Sequence, residues 1–287
     1  MKKLLMASIA VSAVLGLSGC ATSQAKLDYT PAPLNKNNSF AMQVLESGFN
    51  PYVPFDIEDA ELPEDAYQNV LNYGTSSAVG LLAGGAMGAL KGLGWAAVFN
   101  SGSNPAKSYI QYIAYIPAEN IDINDKGAIN SYIKKNYITP ALESYIASDE
   151  NKNQVRPTKL LDFANGEYKI KGEACYAVKI GEPEYDGCQL FWNANTHIIR
   201  YATTETGLPF KPTAGAGKYI VARITDPRMR SSVILKHIKS ELFYAYVPAM
   251  GYKTEHISRL TKDIVFNDTP TIVGKDGKIN FFVKKKM

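Results

Sequence analysis

Few side chains in this chain could carry acid–base or metal chemistry near neutral pH. His197, His237 and His256 are its three histidines, the residue type whose charge ordinarily changes in that range. His197 stands beside Ile198 and Ile199 in a stretch of strand character, where a partly buried structural role is the expectation. His237 and His256 belong to no metal-ligand motif, so no metal is expected. Carboxylate pairs are the other route to chemistry. A glycan hydrolase needs one acid and one base or nucleophile, which need not be neighbours in sequence. Glu167, Glu173, Glu182 and Glu184 cluster in the middle of the chain and would be its first candidates, although exposed acids on hairpin turns are the more ordinary explanation. Asp56, Glu58, Asp59 and Glu61 form a second acidic group, but it lacks the D-x-D-x-D-G spacing of a calcium loop and reads as solvated. There is no G-x-S-x-G elbow, H-E-x-x-H pair, Walker loop or redox C-x-x-C, each of which would mark a known chemistry. "GAGKY", Gly215 to Tyr219, echoes a phosphate loop but has no Ser or Thr after Lys218, and reads as a flexible connector. A non-enzymatic protein without cofactors is the main expectation, and a periplasmic cell-wall glycan hydrolase the alternative.

The N-terminus is more informative. Lys2 and Lys3 precede the apolar run "LLMASIAVSAVLGL", the charge and length pattern of a secretory signal peptide. The run ends in Leu17-Ser18-Gly19-Cys20, which resembles the lipobox of bacterial lipoproteins. That resemblance implies cleavage before Cys20, thioether lipidation of its sulfur and acylation of the new N-terminus. Three acyl chains would anchor the protein stably, since a second chain already does so. Ala21 rather than Asp follows the cysteine, and by the same resemblance this implies the outer membrane. Two cysteines then remain, Cys175 and Cys188. In an oxidising envelope compartment an even pair reads as a disulfide, closing a short loop with a stabilisation of about 3 kcal/mol.

Composition fits a folded body behind a lipid anchor. "ATSQAKLDYTPAPLNKNNS" is polar and Pro-bearing, as a flexible tether should be. Beyond it, 46% hydrophobic content can fill a core, and 18 tyrosines suggest many half-buried sheet positions. The formal net charge is +4 with the leader included, and loss of Lys2 and Lys3 leaves the mature chain nearly neutral. With no basic stripe or nucleic-acid motif, nucleic acid is not an expected partner. The terminal Lys284-Lys285-Lys286 reads as a solvated tail.

The elements follow from periodicity and punctuation. Residues 40 to 73 read as mostly irregular, with a short helix from Asp65 to Tyr73 stopped by Gly74. "SYIQYIAYI", 108 to 116, is dense in β-branched and aromatic residues and reads as a strand covered on both faces, ending at Pro117. Ile129, Ile133 and Tyr137 at fourth-residue intervals predict a helix from Lys126 to Tyr137, and Thr139-Pro140 looks like the N-cap and first position of a second, through about Ala147. The middle splits into short strands at turn signals. "SSVILKHIKSE" places Ile234 and Ile238 on one helix face, "LFYAYVPA" reads as strand, and "TPTIVGKDGKINFFV" as a hairpin. The expected fold class is α+β, a mainly antiparallel sheet with a few helices, plus an N-terminal signal peptide and a glycine-rich apolar helical segment. The expected organisation is signal peptide 1–19, lipidated flexible tether 20–39, an N-terminal region 40–107 carrying the glycine-rich segment 76–99, and an α+β globular domain 108–287.

The segment "SSAVGLLAGGAMGALKGLGWAAVF" carries Gly80, Gly84, Gly88 and Gly92 at every fourth residue, with Lys91 its only charge. On a helix these glycines form a bare stripe that lets another helix approach closely. Each interior glycine costs about 1 kcal/mol of helix propensity in water, so packing or lipid must offset the cost. As a helix the stretch would reach ~36 Å, long enough for a bilayer. Three readings stay open: a docked hairpin of the globular body, a membrane-associated helix, or a surface for self-association or an envelope partner. The order of lipobox, polar region, glycine stripe and strand is loosely similar to the surface-exclusion lipoprotein of conjugative plasmids. The expected role is structural, assembly or partner binding at the outer membrane, as a homo-oligomer or with an envelope protein.

Overall fold

The run QYIAYIP becomes strand β2, Gln111–Pro117, because β-branched and aromatic side chains suit a pleated surface. Being apolar at successive positions, it can only sit where both faces are covered, and all of Gln111 to Ile116 are buried. The computed structural model describes residues 34–49, 57–75, 110–119, 121–153, 157–162, 168–171, 188–190, 196–203, 207–211, 217–225, 235–247 and 270–286. Among these, β2 is flanked by β7 (Lys218–Thr225) and β8 (Phe243–Val247). The sheet continues outward through β6 (Thr196–Thr203) on one side and β9 (Thr271–Val273) then β10 (Ile279–Phe281) on the other. All five pairings are antiparallel. The class is α+β, as the alternation of strands and turns implied.

Period-two alternation divides the sheet into two cores. Tyr112, Ala114 and Ile116 of β2 join Ile220, Ala222 and Ile224 of β7 under helices α3 (Lys126–Ile133) and α4 (Thr139–Ala147). Ile113 and Tyr115 face the other way, with Tyr219, Val221, Tyr244 and Tyr246, against helix α1 (Phe40–Phe49). Each large apolar side chain so buried contributes about 1.5–3 kcal/mol. Tyr201 of β6 is partly buried as expected, but Tyr112, Tyr115 and Tyr219 are fully enclosed. A wholly enclosed phenol needs a partner for its hydroxyl, and Tyr115 finds one in Ser47.

Helix α1 corrects the expectation that residues 40 to 73 are mostly irregular. Ser39 caps it, its hydroxyl accepting from Met42 N–H at 3.1 Å, and Asp59 in turn accepts from both Ser39 N–H and Ser39 Oγ. The helix is short and contains Gly48, so packing rather than propensity holds it. A Cβ on Gly48 would lie 2.6 Å from two atoms of Ile113, so glycine sets how closely α1 approaches β2. Helix α1 of region 40–107 is thereby packed on the six-stranded sheet.

A second correction concerns the junction at Thr139-Pro140. The chain does not restart a helix there. It passes from α3 through one π-helical turn, Lys134–Ile138, into α4. Pro140 has no N–H and clashes with the carbonyl four residues back, so the register widens by one residue, a π-bulge. Thr139 N–H and Thr139 Oγ1 both reach Lys134 O, the latter at 2.9 Å. The threonine is a back-bonding residue, not a cap. The wider turn brings Tyr137 over the sheet, where it stacks on Phe243 at 5.2 Å and donates to Tyr115 O at 2.5 Å.

The C-terminal lysines are not a solvated tail. Val283–Lys285 form β11, paired in parallel with β1 (Ala60–Leu62), and Lys284 reaches Glu61 at 3.3 Å while Lys285 reaches Glu64. Glu61 is accordingly an ion-paired strand residue rather than a loop acid. Beside this ribbon, helix α2 (Glu64–Thr75) packs Val70 against Leu62, Phe281 and Val283. It runs past Gly74 instead of stopping there. The expected terminal hairpin is present, turning through Asp276 and Gly277 at φ 54° and 75°. Ile238 is buried, but in irregular backbone rather than on a helix face, because its carbonyl accepts from Asp276 N–H of that hairpin. Helix α5 (Asp149–Lys152) and a separate antiparallel sheet of β3 (Lys159–Asp162), β4 (Tyr168–Lys171) and β5 (Cys188–Leu190) complete the described elements. Among the described residues no helix is long and apolar enough to cross a membrane.

Candidate functional site

Polar side chains converge beneath α1, on the β6–β7 side of the sheet. Strand β6 is irregular between Ile198 and Arg200, so that Ile198 opposes Ala222 and Arg200 opposes Val221. Residues 197 and 200, three apart, would face opposite sides of a regular strand. The bulge re-aims one of them, and both side chains come to the α1 face, His197 opposite Arg223 and Arg200 opposite Val221. Arg200 is only 3% exposed. Burial lowers its pKa, opposed by the nearby Tyr115 and Glu46. Glu46 is held by Asn38 Nδ2 at 2.7 Å, and burial raises its pKa before the Asn38 hydrogen bond and Arg200 draw it back. Ser47 shares a hydrogen bond with the Tyr115 hydroxyl and donates to Val44 O at 3.0 Å. Burial pushes the Tyr115 hydroxyl far above its usual range, so it stays protonated.

His197 and Arg223 form the outer end of this arrangement. Arg223 lies over the Phe49 ring, its Cζ 4.7 Å from the centroid. Its Nε is buried without a hydrogen-bond partner among the described residues, and burial lowers its pKa. The His197 imidazole is pushed down by partial burial, then by Arg223 and Lys126.

The other face carries a serine–histidine contact. Ser144 Oγ and His237 Nδ1 lie 3.2 Å apart, and the imidazole meets the Tyr145 ring edgewise. Burial lowers the His237 pKa, with Glu150 acting against it. A nucleophile–base pair needs a third group that orients the base, and Glu150 instead bridges Lys236 at 3.5 Å. The pair is a packing contact between α4 and the segment before β8.

Few of the sequence-predicted site residues fall among the described ones. Cys20, Gly80, Gly84, Gly88, Gly92 and Cys175 lie outside the described residues, as do Glu167, Glu173, Glu182, Glu184 and His256. The backbone of Cys188 opens β5 opposite Ile170. His197 occupies the predicted strand. Lys218 and Tyr219 of "GAGKY" belong to β7 rather than to a connector, with Lys218 Nζ 3.5 Å from the Tyr201 ring centroid. Among the described residues no group of three or more His, Cys, Asp or Glu could hold a metal ion. The Ser47–Tyr115 pair and the Arg200–Glu46 grouping were missed. They depend on a bulge and on a helix that composition did not mark. Comparisons with protein-family models, with curated proteins and with solved structures found no match.

Proposed function

We propose that this protein is a cell-envelope lipoprotein, anchored through Cys20 at the outer membrane, with a structural, assembly or partner-binding role. The observation that carries the reading is Leu17-Ser18-Gly19-Cys20, placed directly after a basic and then apolar leader. The fold is compatible with it. Helix α1 begins at Phe40, and the stretch read as a tether ends in Asn38 and Ser39, which are bonded into the body rather than flexible. The glycine-stripe segment 76–99 is inserted between α2, which ends at Thr75, and the central strand β2, which begins at Gln111. The described elements before and after it are packed, α2 against β10 and β11 and β2 at the sheet centre. An apolar segment with such a stripe can present its glycine face to a second copy, an envelope protein or the lipid surface. Ser47, Tyr115, Glu46 and Arg200, gathered under α1, serve to dock that helix.

Mass spectrometry of the native protein tests the anchor. The expected N-terminal peptide starts at Cys20 and carries a diacylglyceryl thioether and an amide-linked acyl chain. Cys20→Ala should release the protein from the membrane fraction. An intact leader, or a trimmed and lipid-free N-terminus, overturns the reading.

A further inference from the structure

The α1 face of the β6–β7 edge holds more cationic than anionic groups. His197 and Arg223 are direct cross-strand neighbours, and the Arg223 charge disfavours protonation of the imidazole. A bulge adds Arg200 to the same face, one register step inward. Glu46 is the one acid acting on this group among the described residues, and it acts on Arg200. Among the described residues no carboxylate acts on the other two: the charges around His197 are Arg223 and Lys126, and burial is what lowers the Arg223 pKa. Arg223 is held in place by Phe49, and among the described residues its buried Nε meets no hydrogen-bond acceptor. His197 beside it is exposed.

We propose that Arg223 and His197 form a binding site for a phosphate group, with Arg200 and Lys126 adding to the field that attracts it. A guanidinium offers two parallel donors that match a phosphate, and a neighbouring imidazole adds a third from the adjacent strand. A phosphate held there would bring Arg223 the negative charge that no described carboxylate supplies. The inference is independent of the lipid anchor. The same chemistry is offered by a free phosphate and by the headgroup of an anionic phospholipid.

The test uses the full-length protein in a neutral, phosphate-free detergent, with labelled histidine followed by NMR. Inorganic phosphate is titrated in one arm. In the other, the full-length chain with Cys20→Ala, which carries no acyl anchor, is mixed with vesicles of phosphatidylcholine, with or without phosphatidylglycerol, and floated. For a free phosphate, the His197 signals should move saturably with a Kd on the order of 1 mM. Arg223→Gln and His197→Gln, both read by calorimetry, should each weaken binding about tenfold. Lys239→Gln, at an exposed ion pair with Asp276, should leave it unchanged. For a headgroup, flotation should require phosphatidylglycerol and fall in both variants, with inorganic phosphate producing little shift. His197→Gln carries the test if Arg223→Gln lowers the melting temperature. Absence of a response in both arms, or equal responses from both variants and the parent, overturns the proposal.

Discussion

Replacing Gly48 by alanine sets two well-defined effects against each other. Glycine inside a helix is about 1 kcal/mol worse than alanine, so if α1 lay loosely on the surface the substitution would stabilise the protein by roughly that amount. The structure requires the opposite sign. The new methyl would sit 2.6 Å from both Cδ1 and Cγ1 of Ile113 and 3.0 Å from its Cγ2. Three atoms of one side chain are involved, so rotating its tip cannot relieve the contact. Ile113 is fully buried on the central strand, held between β7 and β8, and its branched Cβ leaves few rotamers. Overpacking of this kind costs about 1–3 kcal/mol, which meets or exceeds the propensity gain. The expected net change is a destabilisation of up to ~2 kcal/mol. Urea unfolding followed by far-ultraviolet circular dichroism measures it as a lower midpoint at unchanged slope. Ile113→Ala alone should cost about 2–5 kcal/mol. Combined with Gly48→Ala it should cost less than the sum of the two, because the new methyl enters the space vacated. A more stable Gly48→Ala protein would refute the close approach of α1 to β2, and with it the two-sided burial of the sheet.

Three other expectations concern caps, protons and the C-terminal strand. Asp125 Oδ1 accepts from Ala128 N–H at 2.9 Å and caps α3, so Asp125→Ala should cost about 0.5–2 kcal/mol in urea unfolding. Burial depresses the His237 pKa below 6.5. The folded state therefore binds a proton less readily than the unfolded chain, and this contribution to stability is intact above about pH 6.5 and lost as the pH falls through the folded value. His237→Asn should flatten the acid side of a stability–pH profile. An unchanged slope would show that the imidazole is not desolvated. Lys284→Gln with Lys285→Gln should cost under about 1 kcal/mol, since both ion pairs are partly exposed and such pairs contribute little. Truncation before Val283 should cost distinctly more in the same unfolding assay, because it removes the pairing with β1 and a buried side chain from the Leu62 cluster.

Much of the sheet was legible from local pattern. The β-branched run before Pro117, the run at Phe243–Val247 and the Lys275–Gly277 turn each announced a strand or hairpin, because backbone preference and burial act within a few residues. Elements whose stability is tertiary were not. Helix α1 contains Gly48 and Ser47, poor helix formers in isolation, and is stable because Ile113, Tyr115 and Tyr244 cover its apolar face. The terminal lysines looked like any exposed basic tail, since no local signal reveals that their backbone will find Ala60–Leu62 across the molecule.

The candidate site divides the same way. The cysteine of the proposed lipobox and the four-residue glycine period are statements about order along the chain, and sequence alone determines the order. The meeting of His197 with Arg223, and of Arg200 with Tyr115 and Glu46, was decided by the register of two strands and one bulge. Shifting a strand by one residue sends every side chain to the opposite face. Neither composition nor spacing states where a bulge will fall. That depends on which register lets both faces of β2 fill their cores at once, a property of the whole packed sheet.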